Sequence, residues 1–271
     1  MNTLKPLGKS NYVSQEEALR DLDNYIGNGS SGEGSDSEEN KGDGDGNNTT
    51  LEDKTDFWSI DNVRYRNRTC SVGLAKTLLD SGKAKTQDEW AEYSRQAKQQ
   101  GDFHVGDFPL YYALFSQLHS LRENPNMRSI AEEARAFISK QMFKKWLMTL
   151  TRLQYKKKGN DVIVHNYSMQ DRYELQGKIV GKDGNITSAD TDAQGTLELL
   201  TGEKDAAEVN EVYKWMTGKE SYLLRVNPKQ NTERIAGFYA DSDGVDLNCV
   251  RYPDYSYSAL WVKILCAEGT R

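Results

Sequence analysis

An α+β fold is the class this sequence predicts, with helices first and a mostly antiparallel sheet region after them. Two observations carry that expectation. Capping residues followed by apolar side chains at helical spacing recur through the first half, at Thr86, Asp107 and Ser129. After Lys158-Gly159 the apolar period shortens to two, and turn residues separate the runs. The 271 residues suffice for one large or two small domains, and a 37% hydrophobic fraction supplies a core.

Taken in order, Ser14-Gln-Glu-Glu17 is a capping box ahead of a short amphipathic helix with Leu19, Leu22, Tyr25 and Ile26 on one face. It belongs to an N-terminal segment, residues 1–26. Residues 27–50 hold no apolar side chain, so burial cannot offset the entropy of ordering them. Residues 27–55 therefore read as a flexible acidic linker, and residues 56–271 as the main domain. Within that domain, residues 56–72 read as an irregular or extended lead-in. Residues 71–80 read as a short helix stopped by Ser81-Gly82. Thr86-Gln-Asp-Glu89 is a second capping box and starts a helix to about Gln100, with Trp90, Tyr93 and Ala97 inward. Asp107 caps the next helix, Pro109 sits in its first turn, and Tyr111, Leu114, Phe115, Leu118 and Leu121 keep helical spacing. Ser129-Ile-Ala-Glu132 is a third capping box. It opens the longest predicted helix, to about Tyr155, striped by Ala134, Phe137, Ile138, Trp146, Leu150 and Leu153. Residues 161–168 and 172–180 read as strands, with turn chemistry at 181–185. Asp205 caps a last helix through Met216, stopped by Gly218, and residues 222–226 form a strand ended by Pro228.

Several function classes fall away. The net charge is −6, and the basic runs Lys144-Lys145 and Lys156-Lys157-Lys158 are short, so no nucleic-acid partner is expected. Cys70, Cys249 and Cys266 form no CxxC pair, which points to neither zinc nor a disulfide framework. His104, His119 and His165 lack ligand spacing, and no nucleophile-elbow, P-loop or dinucleotide motif is present. Asp43-Gly-Asp-Gly, and the set Asp241, Asp243 and Asp246, resemble fragments of a calcium loop without its closing Glu. The expectation is a binding protein rather than an enzyme, with no catalytic residue, no metal and no cofactor. No run approaches the ~20 apolar residues of a membrane helix. The N-terminus lacks a signal-peptide core, so synthesis in the cytoplasm is expected, with a surface or virion destination left open.

What remains is the stretch from Arg234 to Ile264. Phe238, Ala240 and Ser242 form one alternating inward set, and Val245, Leu247 and Cys249 another. Residues 239–258 hold four Tyr, four Asp and three Ser, with no Lys, Glu, Gln, Met, Trp or Thr. Tyr offers contact area at low entropy cost and short polar residues adapt their hydrogen bonds, so this is the composition of a recognition surface.

Arg234-Ile-Ala-Gly-Phe238, Ser242-Asp243, Cys249, Pro253 and Ala259-Leu-Trp-Val-Lys263 together resemble the variable region of target proteins of diversity-generating retroelements, of the archaeal and candidate-phyla type. The upstream helices and Trp146-Leu-Met-Thr-Leu-Thr-Arg152 are similar to that family's scaffold. In the family, an error-prone reverse transcriptase rewrites the C-terminal part of a C-type-lectin-like (formylglycine-generating-enzyme-like) domain at template adenines. An AAC or AAT codon changed at its adenines cannot yield Lys, Glu, Gln, Met or Trp, and those five are absent from residues 239–258. The chain departs from the family at Leu260-Trp-Val-Lys263, where many members carry Gly and Arg.

The resemblance implies an invariant lectin-like frame and a variable region of about residues 235–264. It implies ligand contacts at Tyr239, Asp241, Gly244, Asp246, Asn248, Val250, Arg251, Tyr252, Asp254, Tyr255, Tyr257 and Ser258, with Trp261 added. The implied partner is a protein ligand whose identity the sequence leaves open, as it does the oligomeric state. The alternatives are an adhesin or lectin of fixed specificity, or a formylglycine-generating-type enzyme. The calcium-lectin motif Glu-Pro-Asn is absent, and Glu123-Asn-Pro-Asn126 matches it only in composition. The enzyme would need a reactive cysteine pair, and only Cys249 and Cys266 are at hand.

Overall fold

The computed structural model describes residues 49–66, 68–167, 173–177, 184–185, 191–224, 231–242 and 244–265. Over these the chain is α+β. Its strands are β1 Leu51–Asp53, β2 Phe57–Tyr65, β3 Arg68–Leu78, β4 Leu147–Tyr155, β5 Asp161–His165, β6 Tyr173–Gly177, β7 Gly184–Asn185, β8 Ser221–Leu224, β9 Thr232–Ala240, β10 Val245–Arg251 and β11 Leu260–Leu265. The helices are α1 Gln87–Gln99, α2 Phe108–Leu121, α3 Arg128–Met142, α4 Thr191–Thr201 and α5 Ala206–Thr217. One sheet has the order β1-β2-β3-β11, the other β6-β5-β4-β9-β10-β8-β7. Every pairing is antiparallel except that of β8 with β10.

The centre is α2. Asp107 caps it by accepting from the Leu110 N–H at 3.0 Å, and Pro109 lies in its first turn. Its Phe108, Leu110, Tyr111, Tyr112, Leu114, Phe115, Leu118 and Leu121 are all buried, as expected of a helix apolar on most sides. The Tyr111 hydroxyl accepts from the Gly106 N–H and donates to the Leu260 carbonyl, which ties the helix to β11. Phe238 of β9 meets it with ring centroids 4.1 Å from Phe108 and 5.5 Å from Phe115. A second, smaller cluster lies on the other side of β4 and β9. There Trp90 and Ala91 of α1 pack with Trp146, Met148, Leu150 and Ile235. The predicted capping box at Thr86 and Glu89 is formed, and Trp90 and Ala97 are buried with Tyr93 half-buried.

Three expectations are corrected here, the first two with one cause. Residues 71–80 are not a helix; β3 continues to Leu78, followed by a tight turn at Leu79–Gly82. The predicted long helix ends at Met142, and Leu147–Tyr155 is β4. Val72–Ala75 of β3 and nearly all of β4 are buried, so neither shows an inside–outside alternation, and period alone cannot tell such a run from a buried helix. The third capping box does not form. The cap position is Met127, without a side-chain bond, and Glu132 pairs instead with Arg135 and the Trp215 indole. The order "helices first" is likewise overturned, since β1–β3 precede every described helix and β3 pairs with β11 from the far end of the chain.

The predicted linker boundary at residue 55 lies too far along. Leu51 is buried in β1, which pairs with β2. Residues 56–72 are β2 and the start of β3 rather than an irregular lead-in. The helix predicted at residues 14–26, the acidic run with Asp43, and Cys266 lie outside the described residues. Helix α4 was not predicted. Gly184–Asn185, read as turn, pairs with β8. The Asp205 cap, α5 and its left-handed Gly218 stop agree with the sequence.

Candidate ligand-binding face on the C-terminal strands

The face is built on β9 and β10, paired with Val245 opposite Ala240 and Leu247 opposite Phe238. Phe238, Ala240, Val245, Leu247 and Cys249 are all buried, so the predicted inward set is where the sequence put it. Ser242 is the exception, being exposed in the turn. The hairpin closes through Asp241, whose N–H donates to the Gly244 carbonyl at 3.0 Å and whose carboxylate accepts from the Gly244 N–H at 3.2 Å. Gly237 is demanded by space: a Cβ there would lie 2.4 Å from the Leu147 carbonyl oxygen and 2.5 Å from the Trp146 ring.

The predicted contact residues whose side chains are described separate into three groups. Arg251, Tyr252, Asp254 and Tyr255 are exposed and adjacent, after a register shift between Asn248 and Arg251 that ends the regular ladder. Tyr252 and Tyr255 are 47% and 57% exposed, with ring centroids 5.5 Å apart. The guanidinium of Arg234, itself largely buried, lies 3.9 Å from the Tyr252 ring centroid. Tyr239, Asp241, Val250, Tyr257 and Trp261 are half-buried. Of these, Tyr239, Tyr257 and Trp261 pack on the second apolar cluster, Tyr257 with its ring 4.4 Å from Trp146. Burial raises the Tyr257 phenol above its ordinary range. Gly244 and Ser258 are buried, which corrects their expected outward placement. Asp246 and Asn248 take the alternate register positions, opposite Tyr239 and Gly237; their side chains, like Asp243, lie outside the described ones.

The reason Ser258 turns inward is the way the loop after β10 is held. The Gln87 N–H, at the start of α1, donates to the Pro253 carbonyl at 3.3 Å. Lys85 and Tyr257 exchange two backbone bonds, and the Trp90 indole donates to the Tyr257 carbonyl at 2.8 Å. The Met148 N–H donates to the Ser258 carbonyl at 2.9 Å, and the Ser258 hydroxyl to the Gly82 carbonyl at 3.1 Å. Residues 252–256 therefore stand out from a loop pinned at its far end.

Sequence reasoning missed a buried polar cluster beside the α2 cap. Asp107 accepts from Tyr65 Oη at 2.8 Å and Arg66 Nη2 at 2.5 Å. Asn166, with its amide oxygen turned to Arg66, accepts from that guanidinium at 3.0 Å. His165 meets the Thr151 hydroxyl through Nδ1 at 2.9 Å and the Leu199 carbonyl through Nε2 at 3.0 Å. Desolvation pushes the His165 imidazole down to about 4, so it is neutral at pH 7 and donates through Nε2. Arg152, read from sequence as helical, is buried in β4. It is held by Gln87 at 2.7 Å and Asp88 at 2.6 Å, and its guanidinium lies 3.4 Å from the Tyr167 ring centroid. These groups satisfy one another and tie β2, β4, β5, α1, α2 and α4 together. His104 is buried and its backbone bridges Val262; His119 is half-buried against Trp215. Among the described residues, no group of three or more His, Cys, Asp and Glu is placed to hold a metal ion. No described helix is long and apolar enough to cross a membrane.

No family model, curated protein or solved structure matches the chain.

Proposed function

We propose that this protein is a receptor-like binding protein whose C-terminal face is displayed on a lectin-like scaffold and diversified by a retroelement. The observation that supports this reading best is the sharp change in environment along residues 238–255. Phe238, Ala240, Val245, Leu247 and Cys249 are locked in the core, while Arg251, Tyr252, Asp254 and Tyr255 stand in solvent a few residues on. Aromatic side chains exposed on a pinned loop make contact area without a large ordering cost on binding. Tyr252 and Tyr255 are the anchors in this reading, Arg251 and Asp254 set charge preference at the rim, and the ligand is a protein. Tyr239, Tyr257 and Trp261, half-buried on the second apolar cluster, extend the face beside the anchors in this reading.

The test is genomic and then biochemical. A near-copy of the codons for residues 235–264, differing at adenines and lying beside a reverse-transcriptase gene, is expected. If the source genome lacks one, the diversification claim fails and only a fixed binding face is left. A library randomised at residues 251, 252, 254 and 255 should yield folded variants that bind different protein targets. A library that is mostly unfolded would defeat the display reading.

A further inference from the structure

Asp80, Ser81 and Gly82 take left-handed backbone conformations in succession, with φ of 48°, 55° and 80°. For a non-glycine residue this region costs roughly 1 kcal/mol or more, so a run of it marks a place the surrounding fold enforces. The turn borders an open cleft of about 570 Å³, a size usual for small-molecule sites, which span roughly 300–1,000 Å³. Phe137 of α3 and Trp261 of β11 give the cleft aromatic walls, and Lys76 and Lys145 face it with positive charge.

The charges are not equivalent. Lys76 is paired with Asp53 at 2.5 Å and lies over the Trp58 ring. Asp80, the acidic group of the lining, is engaged by Lys85 at 2.6 Å, and that bond holds its carboxyl below the usual carboxylate range. Lys145 meets no carboxylate among the described residues; its ammonium donates only to the Gly82 carbonyl, at 3.3 Å. Gly82 makes that approach feasible, since a Cβ there would sit 2.9 Å from Lys145 Nζ. An ammonium without a carboxylate partner among the described residues, in a cleft that two aromatic rings also line, has the chemistry of a site for an anion on a ring.

We propose that this cleft binds a small molecule bearing a carboxylate or phosphate on an aromatic ring. Lys145 pairs with the anion, and Phe137 and Trp261 pack the ring. The inference does not rest on the display reading, although Trp261 and the Gly82 turn take part in both. The test is an NMR titration of the isotopically labelled full chain with phenylacetate, phenyl phosphate and benzylamine. Saturable shifts at the Trp261 indole and the Lys145 side chain are expected with one or both anions, and the arm that binds identifies the acid. Lys145→Gln should weaken binding at least tenfold with an unchanged thermal midpoint, while Lys144→Gln, at the exposed neighbour, should bind as the parent does. Absence of saturable shifts with both anions, equal binding by Lys145→Gln, or comparable binding of benzylamine would each overturn the proposal.

Discussion

Gly237 shows how much a single position constrains this face. It lies in the middle of β9, where any side chain would collide with the Leu147 carbonyl oxygen and the Trp146 ring. Because the first of these is backbone, neither strand can yield cheaply. Gly237→Ala is expected to lose about 3 kcal/mol, the upper end for overpacking, as measured by urea denaturation. At the rim the expectation is the reverse. Tyr252→Ala removes a half-exposed ring whose described partners are Tyr255 and the Arg234 guanidinium. An exposed cation–π contact contributes about 0.5–1 kcal/mol, so the variant should lose no more than that while the proposed anchor is gone. A loss of several kcal/mol would make Tyr252 a structural residue and remove it from the display set.

At the scale of elements, the β9–β10 hairpin carries two opposite demands. Its inward side is continuous with α2 through Phe238, whose ring reaches Phe108, Phe115, Tyr111 and Tyr213. Leu247 lies opposite Phe238 and is fully buried. Leu247→Asp places a carboxylate in that core without a partner and should abolish the cooperative thermal transition. The paired change Tyr252→Ala with Tyr255→Ala, on the loop after the same hairpin, should leave it cooperative. If both variants melt alike, the frame and the face are not separable. The α1 N-terminus has a part in this as well, because Gln87, Lys85 and Trp90 hold the loop that presents Tyr252 and Tyr255. Thr86→Ala breaks the capping box and should cost about 1 kcal/mol, with the loss appearing as faster amide exchange in both α1 and residues 253–258.

For the whole molecule, His165 predicts how stability follows pH. Its imidazole titrates at about 4 when folded, against about 6.5 in an unfolded chain. The unfolded state therefore binds the proton first as pH falls. The stability from a neutral His165 is complete above about pH 6.5 and is lost progressively towards pH 4. Between pH 7 and pH 4.5 the loss should be about 2 kcal/mol by chemical denaturation. His165→Gln, which can still reach Thr151 and Leu199 without titrating, should lose much less over the same interval. Parallel pH profiles for the two proteins would place the acid sensitivity elsewhere.

Much of this architecture was legible because it rests on local chemistry. The Thr86 capping box, the Asp107 and Asp205 caps and the Gly218 stop each depend on residues within a turn of one another, and each formed. The inward set from Phe238 to Cys249 followed from a period of two, because successive strand side chains point to opposite faces. Where the reading failed, distant parts of the chain decided the outcome. Leu147–Tyr155 is a strand because β5, β9 and α1 close around it, and with both faces covered its sequence carries no period to read. Ser258 is buried because the carbonyl of Gly82, remote in sequence, accepts a hydrogen bond from its hydroxyl. The polar cluster of Asp107, Arg66, Asn166 and His165 joins segments that nothing local connects. The sequence by itself determined that Phe238, Ala240, Val245, Leu247 and Cys249 would face the core and that Tyr, Asp and Ser side chains would gather beside them. The tertiary structure decided which of those side chains reach solvent, because that depends on the loop contacts made by α1, β4 and the turn at Gly82.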